Sequence, residues 1–232
     1  MTPSVSIIVP CKNEVNYIDN LVKSILNQDY PKQNLEVLLI DGASNDGTDK
    51  LINHYTVEYP FIKYISNPEQ TVPYAMNKGI RTSKGDIIVR LDAHAEYPIN
   101  YISTLVSHLQ SLNADNVGGV FKTTPANNSS LAKAIAAVIS HPFGVGNSHH
   151  RVGSGKIIET DSVPYGCYRK DVFERIGLYD EELTRNQDDE LNGRLIKAGG
   201  KIYIIPFLQI TYYARDSIKN LWGMFYQYGL FK

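Results

Sequence analysis

The sequence predicts an α/β fold, a Rossmann-type, doubly wound, mostly parallel central sheet flanked by helices. Short apolar runs at 5–10, 35–40, 61–65 and 87–91 alternate with stretches of helical period. Such alternation calls for parallel strands joined by right-handed crossovers. Three of the runs end in polar clusters, at 10–14, 41–46 and 92–96, and the carboxyl edge of a doubly wound sheet is where ligands bind.

In order, the first run closes on Pro10 and leads into a helix whose Ile18, Leu21, Val22 and Ile25 share one face. Tyr30-Pro31 breaks that helix. The second run ends at Asp41, and Asp46 is placed to N-cap a helix carrying Leu51, Ile52 and Tyr55. A third strand, a helix over 72–82 and a turn at Gly85 bring the chain to the fourth run, which ends abruptly in Leu91-Asp92-Ala93-His94. Beyond Pro98, Ile102, Leu105, Val106 and Leu109 mark a helix, 117–121 a strand and 131–139 another helix. Residues 141–156, rich in Gly, Ser and His, read as a mobile loop, and long loops in compact domains are usually functional. A tight or extended element at 163–168 precedes a short helix ended by Gly177. An acidic cluster then opens a helix with Leu191, Leu195 and Ile196 on its inner face. Strands are expected at 201–206 and 209–213. Residues 214–232 form an amphipathic aromatic helix with Ile218, Leu221, Trp222 and Phe225 as its stripe, docked on the domain or resting on a membrane surface.

Composition narrows the function. With 23 basic and 24 acidic residues in 232, the chain has no broad electrostatic footprint for nucleic acid. Its two cysteines, Cys11 and Cys167, suggest no disulfide framework, and a cytoplasmic setting is expected. Neither a signal peptide nor an apolar run of membrane-spanning length is expected. No G-x-G-x-x-G or G-x-x-x-x-G-K-[ST] follows a strand, which argues against dinucleotide dehydrogenases and P-loop enzymes. Asp92 and His94, at i and i+2 on a strand end, leave on one face, where a carboxylate and an imidazole can hold a divalent ion. The alternative is a solvated strand end. His141, His149 and His150 lack acidic or cysteine partners at ligand spacing, so a lid or acceptor-contacting loop is the better reading there.

Taken together, Val5-Ser6-Ile7-Ile8-Val9-Pro10 with Asn13-Glu14, the 41–48 cluster, Asn77-Lys78-Gly79, Asp92-Ala93-His94 and Arg185-Asn186-Gln187-Asp188-Asp189-Glu190-Leu191 resemble the family 2 glycosyltransferases of GT-A fold. The succinoglycan-biosynthesis type is the nearest pattern, and the resemblance runs from Ser4 to Lys232. It implies a single catalytic domain over 1–213, with a nucleotide-sugar-binding half (1–97) and an acceptor-binding half that carries the base (98–213).

The resemblance implies the following roles. Pro10, Asn13 and Glu14 would line the nucleoside pocket, with Glu14 on the ribose hydroxyls, and Asp41 would accept from a uracil N–H. Ser44 is a second choice that more simply shapes the loop, as does Asp46. Asn77 would be a donor-side contact. Lys78, Arg81 and Arg90 are diphosphate candidates, with ion pairing as the alternative. Asp92 and His94 stand at the ends of the family's Asp-x-Asp motif and would hold Mn²⁺ or Mg²⁺; imidazole in place of the last Asp leans towards manganese. Asp188 matches the catalytic base of an inverting displacement. Gln187 replaces the usual Glu, which should leave Asp188 less basic, and Gln187, Asp189, Tyr165 and Gly166 would meet the acceptor. The donor would be a nucleotide-diphospho-sugar, most simply a UDP-hexose. The acceptor would be a saccharide or lipid-linked saccharide at the inner face of a membrane. A sugar nucleotidyltransferase would want a Gly-rich basic loop where Cys11-Lys12-Asn13-Glu14 stands, and a binding protein without turnover is raised only by His94 and Gln187.

Overall fold

The computed structural model describes residues 2–230. Strand β1 (Val5–Cys11) lies in the interior of the sheet. Ile7 and Val9 enter one apolar layer, packed by α1 (Val15–Leu26) and α4 (Tyr101–Ser111). Ile8 enters the opposite layer, against Ala75, Met76 and Ile80 of α3 (Val72–Thr82). Burial on both faces is why the run is continuously apolar rather than alternating. Each such Ile, Leu or Val contributes on the order of 1.5–3 kcal/mol of transfer free energy.

Strands β2 (Leu35–Asp41) and β3 (Ile62–Ser66) extend the sheet on one side of β1, with α2 (Thr48–Glu58) between them in sequence, and β4 (Ile87–Arg90) lies on the other side. All four are parallel, as expected from the βα alternation. The full order is β3-β2-β1-β4-β7-β5-β8-β6, in which β7 (Cys167–Arg169) runs antiparallel between β4 and β5 (Asn116–Thr124). Strand β8 (Ile202–Tyr213) is parallel to β5, and β6 (Ile158–Glu159) pairs antiparallel at its outer side. Helices α8 (Val172–Ile176) and α9 (Gln187–Lys197) join α3 on the second face. Cys11 and Cys167 are free and buried.

Several elements differ from the sequence-based expectation. The two strands expected at 201–206 and 209–213 are one: the β5–β8 register shifts between Gly118 and Val120, and this irregularity absorbs Pro206. Gly119 sits in that shift, where a Cβ would lie 2.3 Å from the Leu208 carbonyl oxygen. The 141–156 loop contains two short helices, α6 (Pro142–Val145) and α7 (His149–Val152), after α5 (Ser130–Ile139). Ile196 is exposed, and Asn192 takes its place inside α9. In α10 (Ile218–Leu230) the inward face is one turn further on than expected. Leu221 and Met224 pack inward and Phe225 and Tyr228 reach the cleft, while Ile218 and Trp222 face out. Phe231 and Lys232, counted in that helix from sequence, lie outside the described residues. No described helix is long and apolar enough to cross a membrane.

Candidate active site

The carboxyl ends of β1, β2 and β4 open into a cleft of about 730 Å³ lined on its far side by the start of α9 and by residues of β5, β8, α7 and α10. At its centre Arg90, the last residue of β4, keeps only 7% of its side chain exposed. Its Nη1 donates to both oxygens of Asp188 (2.8 and 2.6 Å), and its Nε and Nη2 donate to Asp92 Oδ1 (3.2 and 3.1 Å). The guanidinium also lies 5.7 Å from the Tyr165 ring centroid. Arg90 is therefore occupied by two carboxylates, which corrects its expected place on the diphosphate in favour of the ion-pair alternative. Lys78 and Arg81 are likewise engaged, Lys78 with Ser66 O and Glu69 and Arg81 with Glu181.

Asp188 stands in the first turn of α9, with Asn186 at the N-cap in the left-handed region (φ 58°). Tyr179 donates a further hydrogen bond to it at 3.2 Å. Burial pushes the Asp188 carboxyl above the usual range, Arg90 pulls it down, and the Asp92 and Asp189 charges add to the rise. Desolvation is the largest cause of the rise, and it acts with the neutral Gln187 as the neighbour where the family's usual Glu would add its charge. Gln187 is buried at the cleft wall, and Asp189 accepts from Ser162 Oγ at 2.7 Å, which continues to the buried Asn192.

Asp92 and His94 both line the cleft. His94 Nδ1 is 3.2 Å from Glu14 Oε1. The Glu14 contact holds the imidazole pKa above its ordinary value, against burial, with help from the Asp92 charge. Among the described residues no three His, Cys, Asp or Glu side chains gather as a metal cage. The donor set nonetheless fits a divalent cation that completes its shell from diphosphate oxygens and water. A carboxylate on Nδ1 leaves Nε2 as the ligating nitrogen, the usual support of a metal-bound histidine.

The nucleoside side is built from two loops stitched together. Asn13, in the left-handed region (φ 57°), donates its N–H to Ser44 Oγ and accepts from Asn45 N. Asp46 accepts from Val15 N at the start of α1 and from the N–H and hydroxyl of Thr48 at the start of α2, so it serves two helices where capping of one was expected; Gly47 holds the N-cap position. Pro10 and Glu14 face the cleft, whereas Asn13 and Ser44 are spent on the loops. Asp41 is 2% exposed; Oδ2 accepts from Ser44 N and Tyr64 OH, and Oδ1 has no partner among the described residues.

Two expected contacts lie elsewhere. Asn77 is buried against Tyr179, whose N–H and carbonyl it bonds, and it also donates to Glu181, so it fastens α3 to the segment before α9 instead of meeting a donor. Gly166 supplies a carbonyl to Arg90 N, and a Cβ there would meet the Tyr168 ring at 2.4 Å; Tyr165, at φ 49°, does line the cleft. Sequence reasoning did not single out Lys12, Tyr179, Phe121, Arg151 or Tyr212. The closest signal was the Gly- and His-rich composition around Arg151.

This strand-end cleft, with acidic groups just after β4 and in the first turn of α9, has the architecture of a GT-A domain. The chain belongs to glycosyl transferase family 2, whose model matches residues 6–177. It is 31% identical over 226 residues to the succinoglycan biosynthesis protein ExoA of Rhizobium meliloti, covering 96% of this chain and 67% of that protein. It is 33% identical over 236 residues to a dolichyl N-acetyl-α-D-glucosaminyl phosphate 3-β-D-2,3-diacetamido-2,3-dideoxy-β-D-glucuronosyltransferase of Methanococcus voltae, covering 98% and 72%. Among solved structures it resembles the mannosyltransferase PcManGT of Pyrobaculum calidifontis in complex with GDP-Man and Mn²⁺ (TM-score 0.72, 21% identity, 96% of this chain and 60% of that one). It also resembles S. aureus TarS 1-349 in complex with UDP (TM-score 0.68, 17% identity, 97% and 64%). The chain thus spans about two thirds of the curated relatives and rather less of the solved chains.

Proposed function

We propose that the domain is an inverting glycosyltransferase that moves a hexose from a nucleotide-diphospho-sugar, most simply UDP-linked, to a saccharide hydroxyl in polysaccharide assembly. The observation that carries this is Asp188: a desolvated carboxylate with a raised pKa, in one cleft with Asp92 and His94. As general base it takes the proton of the acceptor hydroxyl as that oxygen attacks the anomeric carbon from the face opposite the leaving nucleotide. Arg90 and Tyr179 fix its orientation.

Asp92 and His94 would hold Mn²⁺ or Mg²⁺ with the donor diphosphate. Such an ion, when bound, stabilises the negative charge that develops on the leaving group. The unpartnered Asp41 Oδ1 supports recognition of a nucleobase N–H, and Pro10 and Glu14 support the nucleoside side. Tyr165, Gln187 and Asp189 border the space left for the acceptor. The outward Ile218, Trp222 and Tyr226 support contact with a membrane surface carrying a lipid-linked acceptor, from the cytoplasmic side. The names of the ExoA relative and of the nucleotide-bound neighbours point the same way.

The test is a panel of UDP-, GDP- and dTDP-sugars assayed for hydrolysis and transfer with Mn²⁺. Asp188→Asn should abolish turnover while leaving UDP affinity within a few-fold. Undiminished turnover in that variant refutes the base assignment.

A further inference from the structure

We propose that Arg151 is an anion-binding residue on the acceptor side of the cleft, taking a phosphate or carboxylate group carried by the acceptor. The word acceptor rests on the glycosyltransferase reading above; the site itself rests on its own geometry. Helix α7 places the guanidinium 5.4 Å from the Phe121 ring centroid and 5.2 Å from that of Tyr212. Those rings are stacked on each other, with centroids 4.9 Å apart and an interplanar angle of 29°. Two aromatic faces thus fix the plane of the cation while leaving its charge uncompensated.

No carboxylate among the described residues forms an ion pair with Arg151, and its buried Nη1 has no hydrogen-bond acceptor. A buried cationic N–H left open is costly, and the planar fork of arginine matches the paired oxygens of phosphate or carboxylate. Other cleft cations are committed: Lys12 to Gln70, Arg90 to Asp92 and Asp188, and Arg185 to Gln227. Arg215 is exposed, and its field acts on His94, on the metal side.

The side chains around Arg151 come from the second half of the chain. Phe121 packs edge-on to both His150 and Tyr165, and Ser148 contacts the His150 ring. His150 is pushed down to about 4 by burial first and by the Arg151 charge second, against a smaller pull from Asp161. An anion delivered here would lie beside Tyr165, and so near the Asp188–Arg90 pair.

The experiment uses the full chain with ¹⁵N-labelled arginine, methyl phosphate and methyl glucuronide as probes, and UDP–Mg²⁺ as the donor-side ligand. The Arg151 side-chain signal, assigned by its loss in Arg151→Lys, should shift saturably with methyl phosphate or methyl glucuronide, with UDP–Mg²⁺ present or absent. Arg151→Lys keeps the charge without the fork and should bind the responding probe about tenfold more weakly, with UDP affinity unchanged within twofold. Arg151→Met should lose probe binding. If neither probe moves the Arg151 signal in the native protein, the proposal is overturned without recourse to a variant. A parallel loss of UDP affinity in Arg151→Lys also overturns it, and assigns the cation to the donor diphosphate. Failure of the native chain to bind any nucleotide would sink the glycosyltransferase reading separately, since the probe titration without UDP is read on its own.

Discussion

Arg90 joins Asp188 to Asp92: three guanidinium nitrogens reach the two carboxylates at 2.6–3.2 Å, and the arginine is nearly buried. The residue proposed to accept the acceptor's proton and a residue proposed to hold the donor's metal therefore share one cation. Any shift of Asp92 towards a metal alters the field felt by Asp188.

Arg90→Gln removes the charge and hydrogen bonds that pull the Asp188 pKa down, leaving burial and the Asp92 charge to raise it. A raised carboxyl is protonated to a higher pH, so the acid limb of the kcat profile should move to higher pH. Turnover near neutrality should fall at least about tenfold, by loss of the ionised base and of its orientation. A pH–rate profile beside that of the native chain checks this; an unshifted acid limb would remove Arg90 from control of Asp188.

Metal dependence should itself depend on pH. His94 has a raised pKa, so it is protonated over a wider range than a free histidine, and the protonated ring cannot ligate. Mn²⁺-dependent UDP affinity should be full above that pKa and decline as pH falls through it. Glu14→Gln, which removes the main cause of the rise, should carry the decline to lower pH, with some loss of affinity because the ring is less well oriented. Chelation with EDTA should abolish transfer, and His94→Asp should improve Mg²⁺ relative to Mn²⁺. Isothermal titration at several pH values reads the first two effects and steady-state assays the last two.

His150 gives a stability signature. Its folded pKa is about 4 against 6.5 for the free group, so the unfolded chain binds a proton in that window and the folded chain does not. Stability is full above pH ~6.5 and is lost as pH falls towards 4, by on the order of 3 kcal/mol at most from this group. His150→Gln should flatten that part of the curve in urea melts; equal slopes would show the ring is open to water.

Gly79 packs α3 onto β1, where a Cβ would lie 2.6 Å from Ile8 Cγ2. Gly79→Ala should cost about 1–3 kcal/mol by overpacking, and Ile8→Ala, which removes the clashing Cγ2, should cost less beside Gly79→Ala than in the native chain. Thermal melts of the single and double variants measure the coupling.

The first four strands were legible because each is a short, mostly apolar run between helical stretches; β1, β2 and β4 owe this to burial on both faces, whereas β3 is a half-buried edge strand. Strand β6 was not legible, since two residues carry no period, and β7 showed only as a tight or extended element at 163–168, because a three-residue strand is held by its neighbours β4 and β5. The long β8 read as two strands because Pro206 interrupts the pattern: it lies among the extra residues by which β8 bulges opposite Gly119 of β5, a partner far away in sequence. Of the residues that line the cleft, Pro10, Glu14 and Asp188 were singled out through the family resemblance, while Asp92 and His94 were readable as polar residues at a strand end. The partnership of Arg90 with Asp188, 98 residues apart, was not, because an arginine in an apolar strand gives no sign of which charge it will meet. Asn77 was misplaced for the same reason: its partners Tyr179 and Glu181 are more than a hundred positions away.

The loops after β1 and β2 are sewn to each other by Asn13, Ser44, Asp46 and Thr48. Sequence drift should therefore treat the two loops as one inherited unit. A lineage that replaces Asp46 gives up contacts to two helix starts in a single step, and repair has to come from the other loop. Engineering a new nucleotide preference by grafting either loop alone should yield poorly folded chains, whereas exchanging residues 11–15 and 41–48 together should keep the floor of the cleft intact.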